Sequence, residues 1–350
     1  MKKLEIVLRK ILLRLLLLLN PNAKIDGSHE YNSESKILFI RLNRIGDALV
    51  STPLLKVVKE KTGSGIFVLA DRKNKSAFFN NPYIDELIVF NKGFQGIFEI
   101  IRFIKENKID TVVDLHDDVS TTVSLIISLC GAGNKFALEK WNEKIFTRTV
   151  PKPDPEKVHV VERIFALSKL FGVDYAGEDI NIVYNPLPES IRKAEDYLKQ
   201  KFSDDKFTVG INISAGSEAR YWGTGNFVRL HEFLKNYDIN CLVIAAPDDQ
   251  AKASEISKDY IYSSSNYDEF AAMISRMDMI FTPDTAAVHL ASAFKVPVFG
   301  IYVKYKTQDM IWSPYASDFD RIITEEPNLN NVKFEEAINK FKPFLEKHLK

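Results

Sequence analysis

The chain has 350 residues, 45% of them hydrophobic, which indicates about two globular domains with real cores. Its 47 basic and 47 acidic side chains cancel, so no overall charge attracts nucleic acid, and an anionic ligand must be met by a local site. The two cysteines, Cys130 and Cys241, lie far apart in apolar segments, which argues against a disulfide framework and indicates reduced thiols in a cytoplasmic protein.

The first 20 residues predict a basic amphipathic helix, because lysines and arginines fall on one side of a helical projection and leucines and isoleucines on the other. The uncharged stretch 15–19 is far shorter than the roughly 20 residues that cross a bilayer. Arg14 interrupts the apolar core that a signal peptide needs. We therefore expect 1–20 to hold the protein peripherally on the inner face of the cytoplasmic membrane; the alternative is a helix packed on the protein itself. The polar linker 22–35 completes a separate segment, 1–35.

From residue 36 onward, short apolar strands alternate with helical segments. We predict strands at 36–42, 65–71, 86–91 and 109–118, and helical segments at 48–63, 72–81, 96–108 and 119–133. The sequence "PKPDP", 151–155, breaks this run, and a helix at 156–172 follows it. The alternation is typical of a parallel sheet with helices on both faces, so 36–175 reads as one α/β domain.

The same pattern restarts in the second half of the chain. Strands are predicted at 207–213, 240–247, 277–283 and 296–302, and helices at 226–237, 250–258 and 286–294. These elements make 176–330 a second α/β domain, and 331–350 ends the chain in a helix. Because ligands bind at the carboxyl ends of parallel strands, we expect a site in a cleft between the two domains.

An acid, a threonine and a histidine interrupt the small apolar segment "FTPDTAAVHLASAF", 281–294. Asp284 and Thr285 lie just after a predicted strand and at the start of a helix, where free N–H groups and the helix dipole favour an anion. His289 follows Thr285 by four residues and shares its helix face. The alternative is a helix cap beside a hydrogen-bonded core histidine.

A second polar loop follows the strand 207–213. Gly216 and Ser217 are small enough to let the backbone approach a ligand, and Arg220 offers a forked donor that suits a phosphate. The alternative for Arg220 is a solvated charge. Two such strand-end loops in the same domain are what a diphosphate needs.

Three segments together carry a family resemblance: "IRLNRIGDALVSTPLLKVVKE", "NISAGSEARYWGTGNFVRL" and "TPDTAAVHLASAFKVPVFGIY". They resemble the signature regions of glycosyltransferase family 9, the ADP-heptose:lipopolysaccharide heptosyltransferases and their relatives. "HVVERIFALSKLFGV" is similar to the family's interdomain helix, so the resemblance runs from about 36 to 302. It implies the GT-B fold, with two Rossmann-like lobes facing a cleft, the acceptor in the first and the nucleotide-sugar in the second.

The resemblance also implies roles for single residues. Asp47 matches the general base that takes the proton of the acceptor hydroxyl. The donor-binding matches are Gly216, Ser217, Arg220, Asp284, Thr285 and His289, with Asp249 near the position that contacts the nucleoside. Two residues depart from the pattern, because Ala286 replaces the usual glycine and Arg220 the usual lysine.

Asp47 has an alternative role as the N-cap of the predicted helix 48–63. The remaining acceptor-side candidates are Arg44, Asp114, His116 and Asp117, and the last three are also the next candidates for the base.

We expect no metal and no cofactor. The one literal Asp-x-Asp, 318–320, lies in a segment that reads as irregular surface. Arg220, Thr285 and a helix N-terminus can stabilise the departing diphosphate instead. The expectation is an inverting, metal-independent transferase that uses ADP-heptose, by family resemblance, and a lipopolysaccharide-type or other glycolipid acceptor.

Two alternatives come from other classes. Ala286 suggests a catalytically silent, membrane-associated nucleotide-sugar-binding protein. A dinucleotide oxidoreductase is disfavoured, because no Gly-x-Gly-x-x-Gly follows the strand 36–42.

Overall fold

A computed structural model describes Ile11, Arg14, Leu15, Leu17, Leu18 and residues 30–174, 178–203 and 206–349. The chain divides into a first unit, Met1–Asp154 with Val160–Val183, and a second unit, Pro155–His159 with Tyr184–Lys350. The sequence places the division between 175 and 176 and sets 331–350 apart, whereas the C-terminal helix here belongs to the second unit.

The first unit is built on a six-stranded parallel sheet with the order β3-β2-β1-β4-β5-β6. Its strands are β1 Lys36–Arg41, β2 Gly65–Ala70, β3 Glu86–Val89, β4 Thr111–Asp114, β5 Asn134–Leu138 and β6 Arg148–Val150. Its helices are α1 Ile45–Leu49, α2 Thr52–Thr62, α3 Phe94–Glu106, α4 Thr121–Leu129 and α5 Val160–Phe165.

The second unit repeats this topology, with the order β12-β11-β10-β7-β8-β9 in a second six-stranded parallel sheet. Its strands are β7 Thr208–Asn212, β8 Asn240–Ala245, β9 Ile261–Ser263, β10 Met279–Pro283, β11 Val298–Val303 and β12 Phe319–Thr324. Its helices are α6 Pro188–Lys201, α7 Thr224–Leu234, α8 Gln250–Ile256, α9 Tyr267–Ile274, α10 Ala286–Phe294 and α11 Phe334–His348.

The central strands β1, β4, β7 and β10 are buried along almost their whole length, as is typical of parallel sheets covered by helices on both faces. Leu38 and Ile40 of β1 pack into a buried cluster with Ile97 of α3 and Ile126 of α4. In the second unit, Trp222 is fully buried and donates its indole N–H to the Val332 carbonyl oxygen at 2.9 Å. Both strand-rich halves expected from the sequence are therefore present, and each has its own core.

The predicted helix 48–63 is two helices, α1 and α2. Pro53 has no N–H to donate to the Leu49 carbonyl, so the first helix ends at Leu49 and a second helix begins at Thr52. The Thr52 hydroxyl donates to the Leu49 carbonyl at 2.8 Å and satisfies it. As a result, the turn "NRIGD" is the start of a short helix of its own.

The sequence also missed four strands away from the sheet centres. β5, β6, β9 and β12 are short or carry polar residues, so they lack the apolar run that marks the central strands. The Asp-x-Asp segment 318–320 was predicted as irregular surface, but Phe319 and Asp320 begin β12. Asp318 pairs with Lys347 and His348 of α11.

Most of the predicted membrane-binding segment 1–20 lies outside the described residues. Its described residues have helical backbone, and Leu17 packs against the same buried cluster as α3 and α4. Ile11, Leu15 and Leu18 are exposed. No helix in the described part of the chain has the length and apolar character that crossing a membrane requires.

Candidate active site

The sheet order places two loops of each unit side by side. β1 pairs with β2 on one side and with β4 on the other. The connection after β1 therefore runs toward one edge of the sheet, and the connection after β4 runs toward the other. β7 stands in the same relation to β8 and β10. Because the strands are parallel, the loops after β1 and β4 meet at one edge, as do those after β7 and β10. Most of the predicted site residues lie in or directly after these four loops, whereas Asp249 follows β8 and His289 lies within α10.

A buried arginine, Arg41, donates hydrogen bonds to Asp47. Arg41, at the end of β1, is 1% exposed and donates from Nε to the Asp47 carbonyl at 3.0 Å and from Nη2 to Asp47 Oδ1 at 3.1 Å. Its Nη1 donates to the Leu115 carbonyl after β4. Burial lowers the pKa of Arg41, and the carboxylates of Asp47, Asp117 and Asp114 oppose that shift. One guanidinium therefore fixes both loops.

The two oxygens of the Asp47 carboxylate have different contacts. Asn43 Nδ2 also donates to Oδ1, at 3.3 Å, whereas Oδ2 receives no hydrogen bond from the described residues. The side chain is 16% exposed. The alternative role as a helix N-cap is wrong, because α1 begins at Ile45 with Arg44 as its N-cap and Asp47 lies inside the helix.

Asp114 and His116 form a buried network with Lys140. Lys140 Nζ donates to Asp114 Oδ2 at 2.7 Å and to the His116 carbonyl at 2.8 Å. His116 Nε2 accepts the Leu42 N–H at 3.1 Å, so the ring proton is on Nδ1 and is donated to Asp114 Oδ1 at 2.7 Å. Burial raises the pKa of Asp114, but Lys140 and His116 outweigh it and hold the pKa below its ordinary value. These buried hydrogen bonds link the loops after β1 and β4 to Lys140.

A cavity of about 510 Å³ opens over Asp47. Arg44 lines this cavity, whereas Asp117 does not. Asp117 Oδ2 instead lies 3.4 Å from Nη2 of the buried Arg163. The sequence missed the remaining charged lining, which is Asp71, Lys73 and Lys92. Asp71 and Lys73 follow β2 and Lys92 follows β3, so the rule that ligands bind at strand ends could have found them.

In the second unit, two candidate donor-binding residues of opposite charge, Arg220 and Asp284, form an ion pair. Arg220 Nη2 lies 3.0 Å from Asp284 Oδ2, so Arg220 is not merely a solvated charge. Thr285 is the N-cap of α10, and its hydroxyl accepts the Ala287 N–H at 3.3 Å. The cap predicted as an alternative is present, and it fixes the helix N-terminus beside the ion pair.

Asn212 holds this edge together, although no local sequence pattern distinguishes it. It is buried at the end of β7, and its Nδ2 donates to Thr282 Oγ1 at 2.9 Å and to Thr285 Oγ1 at 3.3 Å. Its Oδ1 accepts the Ser214 N–H at 3.3 Å, and Ser214 Oγ accepts the Ala246 N–H at 2.7 Å. The loops after β7, β8 and β10 are therefore linked by neutral groups.

His289 is a buried histidine whose Nδ1 has no hydrogen-bond partner among the described residues. Burial, helped by His159, lowers the pKa of His289 to about 3, so the ring is neutral at physiological pH. Its ring centroid lies 6.1 Å from that of Trp312. The alternative, a fully hydrogen-bonded core histidine, therefore does not hold for this Nδ1.

The other donor-side candidates are less constrained. Gly216 and Ser217 lie in the exposed loop after β7, and a Cβ at Gly216 would meet no atom within 4 Å. Asp249 pairs with Lys252 at 3.2 Å, and Lys252 lies over the Tyr221 ring. Ala286 is the first residue of α10. In the described part of the chain, no group of three or more His, Cys, Asp or Glu side chains could hold a metal ion.

Comparison with known proteins gives a consistent result. The family described as glycosyltransferase family 9 (heptosyltransferase) matches residues 97–342. Lipopolysaccharide heptosyltransferase 3 of Escherichia coli (strain K12) is 23% identical over 297 residues, which are 78% of this chain and 83% of that protein.

Two solved structures have the same fold. The glycosyl transferase family 9 protein of Veillonella parvula DSM 2008 is similar with a TM-score of 0.78 and 19% identity over 92% of this chain and all of the other. The E. coli heptosyltransferase WaaC with ADP has a TM-score of 0.65 and 13% identity over 90% and 99%. The two parallel-sheet units therefore make up the GT-B fold expected from the sequence.

The network around Asp114 predicts a large effect of Lys140→Met. The substitution leaves a buried carboxylate without its main cation, so we expect a loss of about 3–5 kcal/mol in the free energy of unfolding at neutral pH. A carboxyl whose folded-state pKa is depressed contributes stability that is lost as pH falls. Without Lys140 the pKa of Asp114 rises, so acid unfolding moves to higher pH.

Urea unfolding followed at several pH values measures both effects. Lys144→Met is the matched control, because Lys144 is exposed in the same segment. Equal stability and equal acid midpoints for the two variants would show that the Asp114 network contributes little.

Proposed function

The chain belongs to glycosyltransferase family 9 and is a glycosyltransferase, and we propose that it transfers a heptosyl group from a nucleotide-diphosphate sugar to a lipopolysaccharide-type or other glycolipid acceptor. The proposed donor is ADP-heptose, because the similar E. coli heptosyltransferase WaaC is solved with ADP. The proposed reaction is inverting and metal-independent. A silent sugar-nucleotide binder is not favoured, because Ala286 begins α10 in ordinary helical backbone.

The observation that carries this proposal is the environment of Asp47. Hydrogen bonds from Arg41 and Asn43 engage Oδ1, and Oδ2 is left to accept the proton of an acceptor hydroxyl in the cavity. As the hydroxyl oxygen bonds to the anomeric carbon, its proton passes to Asp47 and the bond from that carbon to the diphosphate breaks. Arg44, Lys73 and Lys92 exceed Asp47 and Asp71 by one charge around the cavity, and Lys92 Nζ lies 3.2 Å from Asp71 Oδ2. Arg44 and Lys73 therefore favour an acceptor that carries negative charge.

The second unit stabilises the leaving group. The diphosphate departs with the electron pair of the broken bond and gains negative charge, which Arg220 and the N–H groups at the start of α10 stabilise. Asp284 holds Arg220 in place before the donor binds. Gly216 and Ser217 border the phosphates, Asp249 contacts the nucleoside, and neutral His289 lies on the same helix as Thr285.

A peripheral position on the inner face of the cytoplasmic membrane fits a glycolipid acceptor. The basic, leucine-rich segment 1–20 supplies the contact, because cationic side chains and buried apolar groups both favour an anionic bilayer.

Asp47→Asn tests the base directly. Asparagine keeps the size and can still accept from Arg41, but it cannot take a proton, so we expect kcat to fall by roughly 10²–10⁴-fold. The donor Kd should stay unchanged, since Asp47 lies in the first unit and the phosphate-binding groups in the second. Asp118→Asn, an exposed neighbour of this edge, is the control. Turnover of Asp47→Asn equal to that of the control would remove Asp47 from the role of base.

Arg220→Ala tests the donor site. The substitution removes a charge-assisted contact to the diphosphate, and we expect a weaker donor Kd and slower transfer, by about tenfold or more in kcat/KM. Isothermal titration with ADP and steady-state kinetics measure the two effects, with Arg192→Ala, an exposed arginine of α6, as the control. If the donor Kd and the rate match those of Arg192→Ala, Arg220 serves only to pair Asp284.

The Leu15→Gln/Leu18→Gln variant tests the membrane contact of the N-terminal segment in the full chain. Both leucines are exposed, so their replacement should leave the fold intact and weaken binding to anionic vesicles. Co-sedimentation equal to that of the unaltered chain would favour the alternative, a helix that packs on the protein itself.

A further inference from the structure

Helix α3 has an exposed face that its own packing does not use. Phe94, Phe98 and Arg102 are spaced four residues apart, and Lys105 lies between them in projection, so all four share one side of the helix. Phe94 is 69% exposed and Phe98 is 65% exposed. The opposite side carries the buried Ile97, Ile100 and Ile104. We call Phe94, Phe98, Arg102 and Lys105 the α3 face.

The composition of the α3 face favours a lipid interface over water. Two phenylalanines this exposed are costly in water, whereas aromatic rings beside basic side chains suit the boundary between anionic headgroups and acyl chains. The acidic residues of α3, Glu99 and Glu106, lie to one flank of this face. Leu129, at the end of the neighbouring α4, is also half exposed.

The α3 face begins beside the cavity over Asp47. Lys92 lines that cavity, and Phe94 follows after a single residue, so at most about 7 Å separates their Cα atoms. The residue between them, Gly93, has a φ of 99°, which an L side chain rarely adopts, and this turn leads the chain from the cavity wall into the helix.

Helix and cavity wall are also packed rigidly together. A Cβ on Gly96 would lie 1.5 Å from the Asn91 carbonyl oxygen, so α3 is in direct backbone contact with the loop that carries Lys92. The exposed Ile11, Leu15 and Leu18 belong to a segment whose Leu17 packs on the same buried cluster as α3. The first unit thus carries two exposed apolar surfaces over one core.

We propose that the α3 face is a second membrane-contacting surface, which inserts Phe94 and Phe98 into an anionic lipid interface and holds the mouth of the Asp47 cavity at the bilayer. The orienting role rests on the proposed function, because a glycolipid acceptor must present its sugar to Asp47 while its acyl chains stay in the membrane. Lipid binding by the face is a property of the surface itself and can be measured without any transfer reaction.

The test uses the full chain and two kinds of vesicle, phosphatidylglycerol mixed with phosphatidylcholine and phosphatidylcholine alone. Phe94→Ser/Phe98→Ser should weaken partitioning into the mixed vesicles by about tenfold or more. Arg102→Gln/Lys105→Gln should weaken it by about fivefold for each charge removed, and only where phosphatidylglycerol is present. The controls are Tyr260→Ser/Tyr305→Ser and Lys199→Gln/Lys340→Gln, which remove exposed aromatic rings and exposed charges from the second unit.

Co-sedimentation gives the partition coefficients, and sedimentation velocity gives the oligomeric state. Vesicle binding by the α3 variants equal to that of their controls overturns the proposal. Self-association that disappears in Phe94→Ser/Phe98→Ser, without vesicle binding, also overturns it and assigns the face to a second copy of the chain. Transfer to a water-soluble acceptor analogue should be unchanged in the α3 variants. A chain that binds vesicles through α3 but transfers no sugar would contradict the proposed function alone.

Discussion

The pairing of β1 with β4, and of β7 with β10, is the constraint on which the rest of the structure depends. At these two places the strand order reverses, so no connection covers the carboxyl ends of the paired strands and two loops stand open beside each other. The proposed base, Asp47, and the proposed diphosphate-binding residues Arg220 and Thr285 all follow one of these paired strands. The chemistry is thus placed by strand order, and the loops need only to be held in shape.

The two units hold their loops in different ways. The first uses buried charge, with Arg41 beneath Asp47 and Lys140 against Asp114, and each charge must be fully paired because a lone ion in the interior is very costly. The second uses Asn212, whose neutral amide links its loops without adding charge. A site for a diphosphate gains from that difference, since a buried carboxylate in place of the amide would repel the ligand.

The sequence predicted the central strands and the loop residues at their ends because both signals are local. Asp47 and Thr285 follow apolar runs, and strand ends are where ligands of parallel sheets bind. Lys73 and Lys92 were missed because a lysine in a loop is most often solvated, and only the fold brings these two to one cavity. Asn212 was missed for the opposite reason, since its value lies in hydrogen bonds to residues distant in sequence, which no local pattern encodes.

Two surface contacts achieve what one cannot. A single amphipathic segment would hold the protein at a bilayer but leave the first unit free to rotate about it, so the Asp47 cavity would face the lipid only part of the time. The proposed second contact at Phe94 and Phe98 would become intramolecular once the first is made, and its effective concentration would then be set by the distance between the two. Because α3 is packed against the loop that carries Lys92, fixing the helix at the interface also fixes the cavity. In the proposed arrangement, weak binding energies at both places would combine into one orientation, and an acceptor that diffuses in the plane of the membrane would meet the cavity at its mouth.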